Sequence, residues 1–91
     1  MFVLVWDSPT ESGYKVFDEY EEALSEYREV VTDNILSLLM ECGEEKVEIT
    51  EANPEYLKQL AKVAGLGEIS ESNIRVSVVI QGDTLFAILE I

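Results

Sequence analysis

Carboxylates are the groups in this chain with the number and spacing to do chemistry. Fifteen Glu and four Asp stand against six Lys and Arg, for a net charge of −13 over 91 residues. Five of them, Glu19, Glu22, Glu26, Glu29 and Asp33, recur at steps of three, four, three and four. On a helix that spacing makes one row, with neighbours about one turn, roughly 5.4 Å, apart along the axis. Paired carboxylates serve as general acids and bases in glycoside hydrolysis, or as ligands for magnesium and calcium. A continuous row presents a line of negative charge.

The partners that would turn these carboxylates into a catalytic centre are missing. The chain has no His, which removes the commonest general base and metal ligand together with every dyad or triad built on His. No Gly-rich run follows a strand and opens a helix, so no phosphate-cradling fingerprint is present. Glu44-Glu45 and Glu48-Glu51 form a loose cation-collecting cluster at most, without the spacing of a calcium loop. Trp6, Asp7 and Tyr14 fall where the mouth of a first hairpin would lie, although aromatics beside a strand usually serve the core. The lone Cys42 permits neither an internal disulfide nor a Cys-based zinc site, and its position on an apolar stripe suits a small buried hydrophobe. The expectation is therefore a non-enzymatic protein with no catalytic residue, metal or cofactor.

The charge also bounds the partners. A strongly acidic surface repels nucleic acid and anionic membranes and attracts basic proteins at long range. Direct phosphate binding needs clustered Lys or Arg, which are absent here. The opening run, MFVLVWD, has no basic segment ahead of it and stops at Asp7, so it does not read as a signal peptide. No stretch approaches the length of a membrane span. A cytoplasmic location is the default expectation.

The elements that must position the row are legible from periodicity. Phe2–Trp6 is an unbroken apolar run, expected as a strand covered on both faces, and Tyr14–Phe17 is expected to return beside it. Asp18–Cys42 is the longest periodic segment. Tyr20, Leu24, Tyr27, Val31, Ile35, Leu38 and Cys42 form its stripe, Asp18 is placed to cap it, and Gly43 to stop it. The phase is unbroken through Thr32-Asp33-Asn34, which predicts one helix rather than two. Lys46–Thr50 alternates like an edge strand. Asn53-Pro54 opens a second helix, with Leu57, Leu60, Ala61 and Ala64 inward and Gly65 at its end. Asn73–Gln81 and Thr84–Ile91 then read as a hairpin around Gly82-Asp83.

These elements predict one α+β domain spanning residues 1–91, in the order β-β-α-β-α-β-β, with a mixed, mostly antiparallel sheet and one long and one short helix. Pairing Gln81 with Thr84 puts Arg75 opposite Glu90, a favourable cross-strand pair. It also leaves Val79, Phe86 and Ile88 together on the outer face of the hairpin, a candidate hydrophobic interface.

Two functional expectations follow. Like charges at this helical spacing cost about 0.2–0.5 kcal/mol per pair, hence on the order of 1–2 kcal/mol for the row. Arg28 offers it no ideal partner, because its neighbours at offsets of three and four are Leu24, Ser25, Val31 and Thr32. An uncompensated row is a cost to folding that binding would explain. The leading reading is a small acidic inhibitor of a basic nucleic-acid-handling partner, with the row standing in for a phosphate backbone. Small phage and mobile-element DNA mimics, including some anti-restriction and anti-CRISPR proteins, parallel it in charge and size alone. The alternative is a structural or regulatory domain that forms a homodimer, or binds another protein, through Val79, Phe86 and Ile88.

Overall fold

The computed structural model describes residues 1–42 and 47–91. The expectations placed on Gly43, Glu44, Glu45 and Lys46, and on the Cys42 side chain, lie outside what is described. The chain runs β1 (Phe2–Asp7), β2 (Ser12–Phe17), α1 (Tyr20–Cys42), β3 (Ile49–Thr50), α2 (Pro54–Val63), a 3-10 turn (Glu71–Asn73), β4 (Ile74–Ile80) and β5 (Thr84–Glu90). This is the expected α+β order. The sheet is ordered β2-β1-β5-β4-β3, and every pairing is antiparallel.

The two strands at its heart explain the architecture. Val3, Leu4 and Val5 of β1 are buried in succession, and so are Ala87, Ile88 and Leu89 of β5. Consecutive strand residues point to opposite faces, so both faces of the sheet are apolar and both need cover. α2 covers one. Leu57 and Ala61 pack on Val3, Val5, Leu85, Ala87 and Leu89. α1 covers the other, setting Ala23 and Tyr27 on Leu4, Val78, Ile80 and Ile88. The result is a sheet held between one long and one short helix.

Helix α2 begins as its sequence dictates. Asn53 is the cap, its Oδ1 accepting from the Glu55 N–H at 2.9 Å, and Pro54 opens the first turn. Gly65 ends it with φ +80°, a conformation most side chains resist. The start of α1 departs from expectation by one residue. The helix begins at Tyr20, so Glu19 rather than Asp18 holds the cap position, its carbonyl accepting from the Ala23 N–H at 3.3 Å. The edge strand β3 is only two residues long, both exposed.

The final hairpin requires a correction. Ile80, not Gln81, pairs with Thr84, so the loop is Gln81-Gly82-Asp83. Gln81 takes φ +55° and Gly82 φ +73°. Gln81 is drawn out of the hairpin ladder by Glu48: its Oε1 accepts from the Glu48 N–H at 2.9 Å, and its own N–H donates to the Glu48 carbonyl at 2.8 Å. A one-residue slip changes which strand faces are shared. Phe86 now opposes Val78 and Ile88 opposes Val76 on the α1 side, whereas Val79 opposes Leu85 on the α2 side. A bulge between Ile74 and Val76 then brings Ile74 opposite Leu89. Arg75 sits at that bulge and still reaches Glu90, Nη1 to Oε1 at 2.6 Å.

One side-chain bond ties the end of β1 to α2. The Tyr56 hydroxyl donates to Asp7 Oδ2. That bond, then partial burial, then the Asp7 charge all hold the Tyr56 phenol above its ordinary value of 10.0. Because the folded state binds this proton more tightly than the unfolded chain, its contribution is complete below about pH 10 and lost as pH rises through that region. Burial, followed by the neighbouring Tyr20, raises Tyr27 in the same direction. The expected outcome is that Tyr56→Phe loses less stability than the wild type between about pH 8 and 11, read by urea unfolding. The remaining alkaline loss belongs to Tyr27 and other groups. Identical slopes for the two proteins would show that the Tyr56–Asp7 bond contributes nothing.

Candidate functional site: the outer face of the long helix

Helix α1 is continuous from Tyr20 to Cys42, through Thr32-Asp33-Asn34. Its inner stripe of Tyr20, Ala23, Leu24, Tyr27, Val30, Val31, Ile35 and Leu38 packs on the sheet. Tyr20 is further fixed by Phe2, with ring centroids 5.4 Å apart, and by the Arg75 guanidinium 4.9 Å from its own ring centroid. These contacts set the rotation of the helix about its axis, so the opposite face has to point outward.

The row therefore lies along one surface. Glu22, Glu29 and Asp33 are exposed on the helix, and Glu19 is exposed at its cap. Glu26 differs, being half-buried because it leans toward the sheet. From Glu19 to Asp33 the row spans about 21 Å of helix axis. That is one charge per roughly 5 Å, against about 3.4 Å of axis per phosphate on each strand of duplex DNA. The ion pairs among the described residues are Glu55–Lys58 at 3.1 Å, Lys62–Glu68 at 3.7 Å and Arg75–Glu90 at 2.6 Å. None of them involves the row.

The structure adds residues that acidity alone did not point to. The spacing of three and four continues past Asp33 to Leu36 and Met40, which are 53% and 86% exposed. Leu39 beside them is also exposed. Twenty-three helical residues measure about 34 Å, against roughly 20 Å for six- or seven-residue strands. Ile35 and Leu38 of its last turns still pack inward, while Leu36, Leu39 and Met40 present apolar side chains to solvent. The signal was available in the sequence as two apolar residues in phase with the acids and out of phase with the inner stripe.

Beneath the middle of α1 lies a cleft of about 500 Å³. Leu4, Trp6, Val30 and Phe86 are its apolar lining; Glu11, Lys15, Glu26, Asp33, Asn34 and Ser37 are its polar groups. A smaller cavity of about 260 Å³ adjoins it and shares Trp6, Glu11, Asn34 and Phe86. Trp6 lies across β2 at Gly13, where an added Cβ would meet the indole at 2.8 Å and force the ring to shift. Lys15 is drawn toward Phe17, its Nζ 5.3 Å from the ring centroid. Asn34 Oδ1 is buried without a hydrogen-bond partner among the described residues.

Other expected sites separate. Val79 belongs to the α2 side, whereas Phe86 and Ile88 lie on the α1 side with Ile88 fully buried. The three form no common patch, because the register slip and the second covering helix absorb them into two cores. Asp7 turns to Tyr56, away from Trp6 and Tyr14, which flank a separate cavity of about 240 Å³ next to α2. Glu48 and Glu51 are exposed, and among the described residues no three His, Cys, Asp or Glu side chains gather to hold a metal. Among the same residues no helix is long and apolar enough to cross a membrane.

An acceptor left without a partner in a buried setting costs about 1–3 kcal/mol. Asn34→Leu is therefore expected to stabilise the fold by about that amount, measured as a higher urea midpoint with unchanged slope. A loss of stability would mean that the Asn34 amide is satisfied in solution. Against known proteins, the chain matches no family, no curated protein and no solved structure.

Proposed function

We propose that this chain is a non-enzymatic inhibitor that occupies the nucleic-acid-binding surface of a basic partner with the outer face of α1. The observation that supports this reading is a carboxylate row without an ion pair among the described residues, Glu22, Glu26, Glu29 and Asp33 on the continuous helix and Glu19 at its cap. Its charge steers a basic surface toward the helix over a range set by ionic strength. Leu36 and Met40 then supply what a charge row lacks, an apolar contact that water leaves on docking. Acids supply rate and orientation, and the apolar end supplies lifetime. Occupancy of the partner's groove is inhibition, with no chemistry required.

The decisive measurement is competition. Proteins captured by the wild-type chain, identified by mass spectrometry, are expected to be basic nucleic-acid-binding proteins. Added duplex DNA is expected to release them, and so is raising salt well above 0.1 M, where screening shortens the range of charge below about 10 Å. The Glu22→Lys/Glu29→Lys variant, altered only at exposed positions, is expected to fold normally and capture none of them. Partners that resist both DNA and charge reversal would overturn the proposal.

A further inference from the structure

The sheet ends at β2, which pairs with β1 on one side and with no other strand among the described residues. We propose that this edge receives an antiparallel strand from the basic partner, one in which basic and apolar side chains alternate. The inference rests on the reading of the partner as basic and names the form in which its chain is held.

The backbone phase of the edge is fixed by two bonds. The Ile91 N–H donates to the Met1 carbonyl at 2.9 Å, so the odd-numbered residues of β1 bond to β5 and the even-numbered ones to β2. The Ser8 N–H donates to the Glu11 carbonyl at 2.8 Å in the same phase. Phe2, Leu4 and Trp6 thus engage Phe17, Lys15 and Gly13. The N–H and C=O groups of Ser12, Tyr14 and Val16 are left pointing away from the sheet. Three donors and three acceptors in line fit one kind of ligand, an extended backbone. Natural sheets blunt such an edge with short strands, Pro, bulges or charge. The opposite edge strand, β3, has two residues. β2 has six, no Pro, an unbroken register and a single charge, Lys15.

The two faces beside the edge select the side chains. Residues opposite each other in a ladder share a face, so Tyr14 and Val16 lie with Val5 and Val3 on the α2 side. That side is apolar and open: Tyr14 is 47% exposed, Val16 46% and Val63 of α2 87%. Lys15 lies with Leu4 on the α1 side, where Glu11, Glu26 and Asp33 outnumber it around the cleft. An added strand sends alternate side chains to the two faces. Its apolar residues meet Tyr14, Val16 and Val63, and its basic ones meet the carboxylates. A second copy of this chain answers less well, since it brings a further charge of −13 and only Lys15 as a cation on its own β2.

The probes are short peptides of arginine and valine, strictly alternating or in two blocks, and a third that alternates glutamate and valine. The alternating arginine peptide is expected to bind about tenfold more tightly than the block peptide, and the glutamate peptide not to bind. Amide hydrogen exchange at Ser12, Tyr14 and Val16 is expected to slow in that complex. In an antiparallel ladder the valines opposite Tyr14 and Val16 are the residues that bond to β2. Methylating the valine nitrogens is therefore expected to abolish the preference, and methylating the arginine nitrogens to spare it. Val16→Pro, which an edge strand tolerates, is expected to abolish it from the protein side. Equal binding of both arginine peptides with unchanged exchange on β2 would overturn the edge proposal and leave the docking helix standing. So would equal loss from either methylation, or tight binding of the glutamate peptide. A dimer of the chain alone that Val16→Pro dissolves would assign the edge to a second copy and overturn the proposal as well. Failure of every peptide to bind would remove the edge alone, because capture by the Glu22→Lys/Glu29→Lys variant decides the helix separately.

Discussion

The fold depends on two neighbouring strands that are apolar on both faces. β1 and β5 pair in the interior of the sheet and bury consecutive residues. Neither face can be left to solvent, and the chain has one helix for each. Once α2 covers the face of Val3, Val5 and Leu89, α1 must cover that of Leu4 and Ile88. Its stripe then has one orientation available. The direction in which the acids point is thus a consequence of how β1 and β5 are written.

That dependence explains how α1 tolerates its own charge. The row costs on the order of 1–2 kcal/mol. Against it stand Ala23 and Tyr27, buried, and six further apolar side chains packed against the α1-side core. Burying an aliphatic side chain fully is worth about 1.5–3 kcal/mol, and partial burial a fraction of that. Several such contacts outweigh the repulsion, so the helix holds without neutralising partners. Glu19 at the cap and Glu22 in the first turn suit the positive end of the helix dipole, but Glu26, Glu29 and Asp33 lie beyond it, and nothing among the described ion pairs offsets their repulsion. Stability and surface are set by opposite sides of one element.

Long-range periodicity was the most legible signal. The unbroken stripe located α1, the Asn53-Pro54 start located α2, and alternation located every strand except for its ends. What escaped were choices between two acceptable alternatives. Leu85 to Leu89 is apolar throughout, so either register of the last hairpin buries well, and periodicity cannot choose between them. The choice falls to Gln81, which leaves the ladder for Glu48, a contact 33 residues away that no local pattern encodes. The apparent outer patch of Val79, Phe86 and Ile88 came from that one-residue difference. The same uncertainty hid the cleft, because Phe86 reaches the α1 face only in the observed register.

The continuation of the row into Leu36 and Met40 changes what kind of surface this is. A purely acidic face acts through long-range attraction, which raises encounter rates and is lost in salt. Desolvated apolar contacts act at short range and govern how long a complex lasts. On α1 both stand in one line, the acids from Glu19 to Asp33 and the exposed apolar Leu36 and Met40 after them. An apolar end kept in water by an isolated chain is a cost without return, as is a row of unpaired charge. Each has a separate physical reason to be absent, and their coincidence on one helix face is what the proposed basic partner, with an apolar contact beside its charge, would account for.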